Sequence, residues 1–329
     1  MSIRIGSVAL ANSVILAPMS GVTDLPFRRV AKRQGAGLVV SEMIASVAMI
    51  RQNRKTLQMA ANVPEEQPMA VQLAGCEPAV MAEAAKLNQD RGAAVIDINM
   101  GCPVKKVVNG HAGSSLMREE DKAARILEAT VKAVDLPVTL KMRTGWDDSS
   151  RNAPRLARIA EEVGIRMITV HGRTRCQFYN GRADWEFIAR VKDAVTIPVV
   201  ANGDVTTLDD VATILGQSGA DGVMIGRGAC GRPWFLGQAV EFLATGRRLP
   251  DPPIAEQYAI LRGHYMDMLD HYGRDTGVRV GRKHICWYTK GLPGSAEFRA
   301  EINRIADADR VLDAIDGFYR PLCERAEAA

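Results

Sequence analysis

Several absences narrow the reading of this 329-residue chain. No apolar run approaches the roughly 18 residues that a membrane span needs. Met1 to Pro18 is broken by Arg4, Gly6 and Asn12-Ser13, so it reads as two short strands around a turn and not as a cleavable signal peptide. The six cysteines are scattered and none forms a C-x-x-C pair, which suggests neither a zinc site nor a disulfide framework. Aromatic residues are scarce at 5%, and glycine plus proline total 44 without clustering. Collagenous, low-complexity and disordered classes are therefore excluded. The chain is expected to be soluble and cytoplasmic. A net charge of +4 is a faint hint of an anionic partner and says nothing of fold.

What is present is alternation. Eight short apolar runs read as strands buried on both faces: Val14–Ala17, Leu38–Ser41, Met69–Leu73, Val95–Asn99, Val138–Met142, Met167–His171, Val199–Asn202 and Gly222–Gly226. Between them, Pro78–Arg91, Glu119–Val134, Ala153–Val163, Trp185–Val195 and Leu208–Gly216 carry apolar residues at helical spacing. Eight such units fit a (β/α)₈ barrel, the α/β TIM-barrel class. An open doubly-wound sheet is the alternative and would need one or two of these strands to be misread. The barrel is favoured because polar residues follow the strands, where a barrel would bring them to one rim. After residues 1–246, the run 247–253 is a proline-rich linker. Residues 254–329 show no strand and three or four amphipathic segments, roughly 254–272, 276–290, 295–305 and 309–326, expected to form a small all-helical domain.

Three groups of residues on that rim invite chemistry. The long loop after strand four carries Cys102 with Lys105 and Lys106; loops of this length in a compact barrel are commonly functional. A thiol there suits a nucleophile, a metal ligand or a proton donor, although no second thiol or paired histidine favours a metal. Equally, Cys102 can simply pack the loop. Asn202-Gly203-Asp204 and Gly226-Arg227-Gly228 follow strands seven and eight, where barrels commonly hold phosphate on backbone amides; ordinary glycine turns are the other reading. Lys141 and His171 end strands five and six, and Gln72 and Asn99 offer amide edges suited to a heterocycle. Together these fit a phosphorylated heterocyclic cofactor.

The chain resembles the flavin-dependent tRNA-dihydrouridine synthases. The resemblance is carried by Ala17-Pro18-Met19-Ser20-Gly21-Val22-Thr23-Asp24, Val71-Gln72-Leu73 and Asp97-Ile98-Asn99-Met100-Gly101-Cys102-Pro103. It continues in order through Leu140-Lys141-Met142-Arg143, Val170-His171-Gly172-Arg173-Thr174, Ala201-Asn202-Gly203-Asp204 and Met224-Ile225-Gly226-Arg227. The C-terminal run Arg282-Lys283-His284-Ile285-Cys286-Trp287-Tyr288-Thr289-Lys290-Gly291 is similar to the family's helical domain. The wording is nearest the bacterial B-type branch.

The resemblance implies an FMN at the barrel mouth, contacted by Pro18, Met19, Gln72, Lys141, Asn202, Gly203, Asp204, Gly226 and Arg227, with Ala17, Asn99 and His171 as neighbours. It implies that NADPH reduces the FMN, that hydride passes to C6 of a tRNA uracil, and that Cys102 donates a proton to C5 as a neutral thiol. The target is a D-loop uridine, position 17 for the B-type branch, extruded to reach a recessed site.

The C-terminal segment from residue 252 has 11 basic against 12 acidic residues, yet Arg274, Arg279, Arg282, Lys283 and Lys290 are concentrated within residues 274–290. Arg279, Arg282, Lys283 and Lys290 are spaced to share one helix face and are expected to form an RNA strip, extended at the rim by Lys105, Lys106, Arg143, Arg173 and Arg175. Trp287 and Tyr288 either pack in the core or stack on a base. Two other functions are weighed. One is an FMN oxidoreductase of a free pyrimidine, of the dihydroorotate dehydrogenase type, which needs no basic surface. The other is a non-catalytic RNA-binding barrel, for which a colourless protein would speak. A monomer is expected, with no bound metal.

Overall fold

The computed structural model describes residues 2–327. Eight parallel strands close on themselves: β1 Val14–Leu16, β2 Leu38–Val40, β3 Met69–Ala74, β4 Val95–Met100, β5 Val138–Arg143, β6 Ile168–His171, β7 Val199–Asn202 and β8 Gly222–Ile225. Each pairs with its successor, and β8 returns to β1 with Val223 opposite Val14. This is a (β/α)₈ barrel. The expected strands all form, within a residue or so at their ends.

The period of two along each strand explains why the runs are apolar throughout. Leu16, Val39, Val71, Ile96, Leu140, Val170, Ala201 and Val223 face the surrounding helices in one large core. Their neighbours Ile15, Leu38, Ala70, Val95, Val200 and Met224 belong to a second, inner core. That inner core is plugged from the N-terminal end by the hairpin Arg4–Ile5 and Val8–Ala9, which contributes Ile3, Ile5 and Leu10. The fit is close at Gly222, where a Cβ would lie 2.6 Å from Ile3 Cδ1.

Helices follow the strands: α1 Leu25–Arg33, α2 Pro78–Asp90, α3 Glu120–Ala133, α4 Ala153–Glu162, α5 Trp185–Lys192, α6 Leu208–Ser218 and α7 Phe235–Thr245. Two of these escaped the sequence reading. In α1, buried Arg28 interrupts the apolar face; its guanidinium forms a two-pronged ion pair with Glu66, both side chains 0% exposed. Beyond β8 the chain makes a single 3₁₀ turn, Arg227–Ala229, and α7 starts at Phe235 after Pro233.

Residues 247–253 carry no regular element, and four helices follow: α8 Ile254–Tyr272, α9 Arg274–Tyr288, α10 Ser295–Ile302 and α11 Ala308–Glu327. They share an apolar centre of Leu261, Tyr265, Met268, Ile285, Ile302 and Tyr319, joined by Trp234 from the barrel side. Gly281 lets α9 press on α8, since a Cβ there would meet the Tyr265 ring at 2.8 Å. The helical region docks on α1: Arg29 and Arg33 both reach Asp267, at 2.9 and 3.0 Å, and the Tyr272 hydroxyl donates to Asp24 at 2.9 Å.

Candidate active site

At the C-terminal ends of the strands the inward-facing residues change from apolar to polar. Asp97 on β4 accepts from Thr139 at 2.6 Å and from the Gln72 amide at 2.7 Å, and burial pushes its carboxyl up. Asn99 donates to the Gln72 carbonyl at 2.8 Å. The amide edges of Gln72 are therefore partly used within the barrel, leaving one hydrogen and one lone pair for a ligand. Lys141 on β5 donates to Asn202 at 3.1 Å. Burial pushes the Lys141 ammonium down to about 8, although nearby Asp97 opposes the change.

His171 ends β6 among cations. Burial first, then Lys141, Arg143, Arg173 and Arg227, lower its pKa well below the ordinary histidine value, so the ring is neutral at physiological pH. Gly203 passes beside it with φ of +124°; a Cβ there would lie 2.8 Å from His171 Cδ2 and 2.8 Å from the Ala183 methyl. Only glycine satisfies both the conformation and the space. Asp204, also left-handed at φ +57°, turns its carboxylate onto Arg173 through two bonds of 2.9 and 2.6 Å, with the Ala183 amide at 2.9 Å and Arg227 at 3.3 Å. Burial works against its charge, but these donors outweigh it and hold the carboxyl below the usual range.

Cys102 sits just beyond β4. Its amide donates to Asn99 at 2.9 Å, and its carbonyl accepts from the Ser114 amide at 3.1 Å and hydroxyl at 2.8 Å. Gly113, at φ +61°, allows this closure; a Cβ there would lie 2.9 Å from the Cys102 oxygen. The loop is thus pinned on both sides of a half-buried thiol. In an eight-strand ring β4 and β8 stand four strands apart, so Cys102 and Gly226-Arg227 face each other across the mouth.

A cavity of about 940 Å³ fills that mouth. Cys102 and all twelve candidate cofactor residues line it: Ala17, Pro18, Met19, Gln72, Asn99, Lys141, His171, Asn202, Gly203, Asp204, Gly226 and Arg227. Met43, Tyr179, Cys230 and Trp287 line it too and were missed as cavity residues. Tyr179 follows Phe178 in the Arg-rich segment after β6, and nothing in that stretch marked it as facing the mouth.

The expected RNA residues divide. Lys105 and Lys106 are exposed on the one-turn helix Lys105–Val108, and Arg279 and Lys290 are exposed on and just beyond α9. Lys283 is half-buried, and Arg282 spends a donor on the Ile305 carbonyl at 2.9 Å. Arg175 is half-buried between the rings of Trp146 and Phe178. Arg143 and Arg173 correct the expectation: each is only 2% exposed. Arg143 donates to the carbonyls of Gly101, Thr174 and Phe178, all at 2.8 Å. Arg173 is consumed by Asp204, Asn180 and Gly181. Both brace the loops around the mouth from within, their donors taken up by loop carbonyls and the Asp204 carboxylate, although Arg143 still lines the cavity.

A closed parallel barrel whose mouth gathers a rim thiol, a buried ammonium and two glycine-bearing loops defines an enzyme of the TIM-barrel class. Comparison with known proteins makes this particular. The family model described as dihydrouridine synthase (Dus) matches residues 15–322. The chain is 57% identical over 324 residues to a probable tRNA-dihydrouridine synthase of Rickettsia bellii, covering 98% of this chain and 99% of that one. It is 53% identical to tRNA-dihydrouridine synthase B of Xanthomonas axonopodis pv. citri, covering 97% and 96%, and 48% identical to that of Pseudomonas aeruginosa, covering 96% of each. Among solved structures, histamine dehydrogenase from Rhizobium sp. 4-9 superposes with a TM-score of 0.57 at 15% identity over 80% of this chain. It shares the barrel fold, and the match covers 50% of its length. The chain belongs to the dihydrouridine synthase family, oxidoreductases that reduce uridine in tRNA to dihydrouridine.

Proposed function

We propose that this chain reduces a D-loop uridine of tRNA, position 17 by its likeness to the B-type relatives, with FMN as resident cofactor and NADPH as electron donor, in the cytoplasm. The observation that carries the reading is the convergence on one cavity of Cys102 and the twelve residues that the resemblance implies as flavin contacts or their neighbours.

The residues present fit a flavin phosphate. Gly203 and Gly226 of the β7 and β8 loops line the cavity, and Arg227 is 64% exposed beside them. The Asp204 carboxylate, engaged by Arg173, is a brace for Arg227 and not a phosphate contact. When bound, FMN supplies hydride for C6 of the uracil, taken from NADPH. Lys141 places an ammonium where negative charge on a reduced ring would need an opposing charge. Gln72 and Asn99 present amide edges fixed by the Asp97 network, so they are oriented before any ligand arrives. Cys102, held by Asn99 and Ser114, is positioned across the mouth from the β8 loop and hands a proton to C5.

The helical region, residues 254–329, is the proposed tRNA-recognition domain after a 247–253 linker, with the barrel domain spanning 1–246. Purified protein incubated with NADPH and unmodified tRNA is expected to form dihydrouridine, read by mass spectrometry. Cys102→Ala keeps bound flavin and its reduction by NADPH but loses about 10²–10⁴-fold in dihydrouridine formation, the usual worth of a positioned general acid. Unchanged formation by that variant removes Cys102 from the proton step.

A further inference from the structure

Among the described residues lining the mouth cavity, Trp287 alone comes from the helical region. It lies on α9 between buried His284 and Tyr288 yet is itself only half-buried. Its place is fixed by the barrel. Gly231, after β8, has φ +74°, and a Cβ there would lie 2.4 Å from the Trp287 carbonyl group, an approach open to glycine alone. The indole meets the His284 ring edge-on at 5.1 Å. Trp185 and Trp234 spend their indole N–H on the Gly203 carbonyl and Asp251; that of Trp287 bonds to no described residue.

The rest of the lip is similar in character. Among the described residues five large hydrophobic side chains are exposed, and two of them, Val104 at 53% and Tyr179 at 56%, line this same cavity from the β4 and β6 loops. Apolar surface is thus exposed at the one entrance a base would use. Lys283 stands one turn before Trp287 on the same face of α9.

We propose that Trp287 is a positioning residue for uridine reduction, its ring stacking on the base next to the extruded uridine. The inference rests on the reading that the target uridine enters this cavity. Extrusion strips the neighbouring base of a stacking partner, and an indole held at the lip replaces it regardless of sequence.

The test uses the full-length flavin-loaded protein as Trp287→Phe and Trp287→Leu, with tRNA affinity measured separately from turnover. Leucine fills much of the volume without a ring face. Trp287→Leu is expected to weaken tRNA binding about tenfold and Trp287→Phe less than about threefold, with the salt dependence unchanged in both. On tRNAs made abasic on either side of the target, one abasic position should weaken the wild type comparably and erase the difference between the two variants. Equal affinities for Phe and Leu on intact tRNA, or a difference that persists on both abasic tRNAs, overturns the proposal. If Trp287→Leu fails to fold, wild-type affinity for the two abasic tRNAs decides: no loss at either position refutes stacking. A wild type that forms no dihydrouridine at all would instead refute the function assigned above.

Discussion

The two ends of the barrel are built from the same strands and differ in what those strands point inward. At the N-terminal end Ile15, Leu38, Ala70 and Val95 meet Ile3, Ile5 and Leu10 of the hairpin and leave the interior closed. At the other end Gln72, Asn99, Lys141, His171 and Asn202 face a cavity of about 940 Å³. Two residues of rise along β3 separate Ala70 from Gln72, so the change from packing to chemistry takes less than 7 Å. The closed end gains hydrophobic burial. The open end carries buried polar groups whose orientation is bought with hydrogen bonds among themselves.

That division can be broken by exchanging expectations between the ends. Ile15→Ala, at a site 0% exposed, should destabilise by about 2–5 kcal/mol and lower the thermal midpoint, while uridine reduction per folded molecule stays near wild type. Cys102→Ala should do the reverse, shifting stability by about 0.5 kcal/mol or less while activity collapses. A Cys102→Ala protein that melts as early as Ile15→Ala would end the claim that the Cys102 thiol is free of structural duty.

A smaller effect sharpens the same contrast at the surface. Arg279 is exposed and Lys283 half-buried on α9, whereas Arg282 is tied to Ile305. Neutralising Arg279 and Lys283 to Gln should lower the log–log slope of tRNA affinity against salt by about two. Arg282→Gln should lower it by less. Equal slopes across the three proteins would remove α9 from the RNA interface.

The sequence reading of the barrel succeeded because a strand buried on both faces leaves a continuous apolar run, and all eight do. Lys141 and His171 end two such runs, and the structure brings both to the cavity at the mouth. The sequence reading failed where meaning depends on a distant partner. Arg28 lies on a helix the sequence reading did not identify, and its partner Glu66 is 38 residues away. Arg143 and Arg173 read as rim cations, since nothing local shows that the carbonyls of Gly101 and Thr174, or the Asp204 carboxylate, absorb their donors. Trp287 was left between core and base stacking, because a helix face cannot be assigned before the neighbour carrying Gly231 is known.

The junction between barrel and helical region offers the smallest and most specific test. Asp24 caps α1 by accepting from the Phe27 amide at 3.1 Å and also accepts from Tyr272 of α8 at 2.9 Å. Burial pushes its carboxyl up to about 6 from 3.8, against the lowering by those two donors and Lys283, with Glu42 adding to the rise. Between pH 3.8 and 6 the folded protein therefore holds more proton at Asp24 than the unfolded chain does. Stability from this group grows as pH falls through 6, and the cost of burying its charge is fully present above 6. Asp24→Asn keeps an acceptor for the Phe27 amide and a polar partner for Tyr272 while removing the titration. Its unfolding free energy should gain about 1 kcal/mol or less at pH 7.5, because charge-assisted bonds are lost along with the desolvation cost. Relative to wild type that gain should shrink and then vanish as pH is lowered from 7 to 4. Parallel stability curves for the two proteins across that range would show that folding leaves the Asp24 carboxyl unshifted, with the two donors and Lys283 fully offsetting its burial.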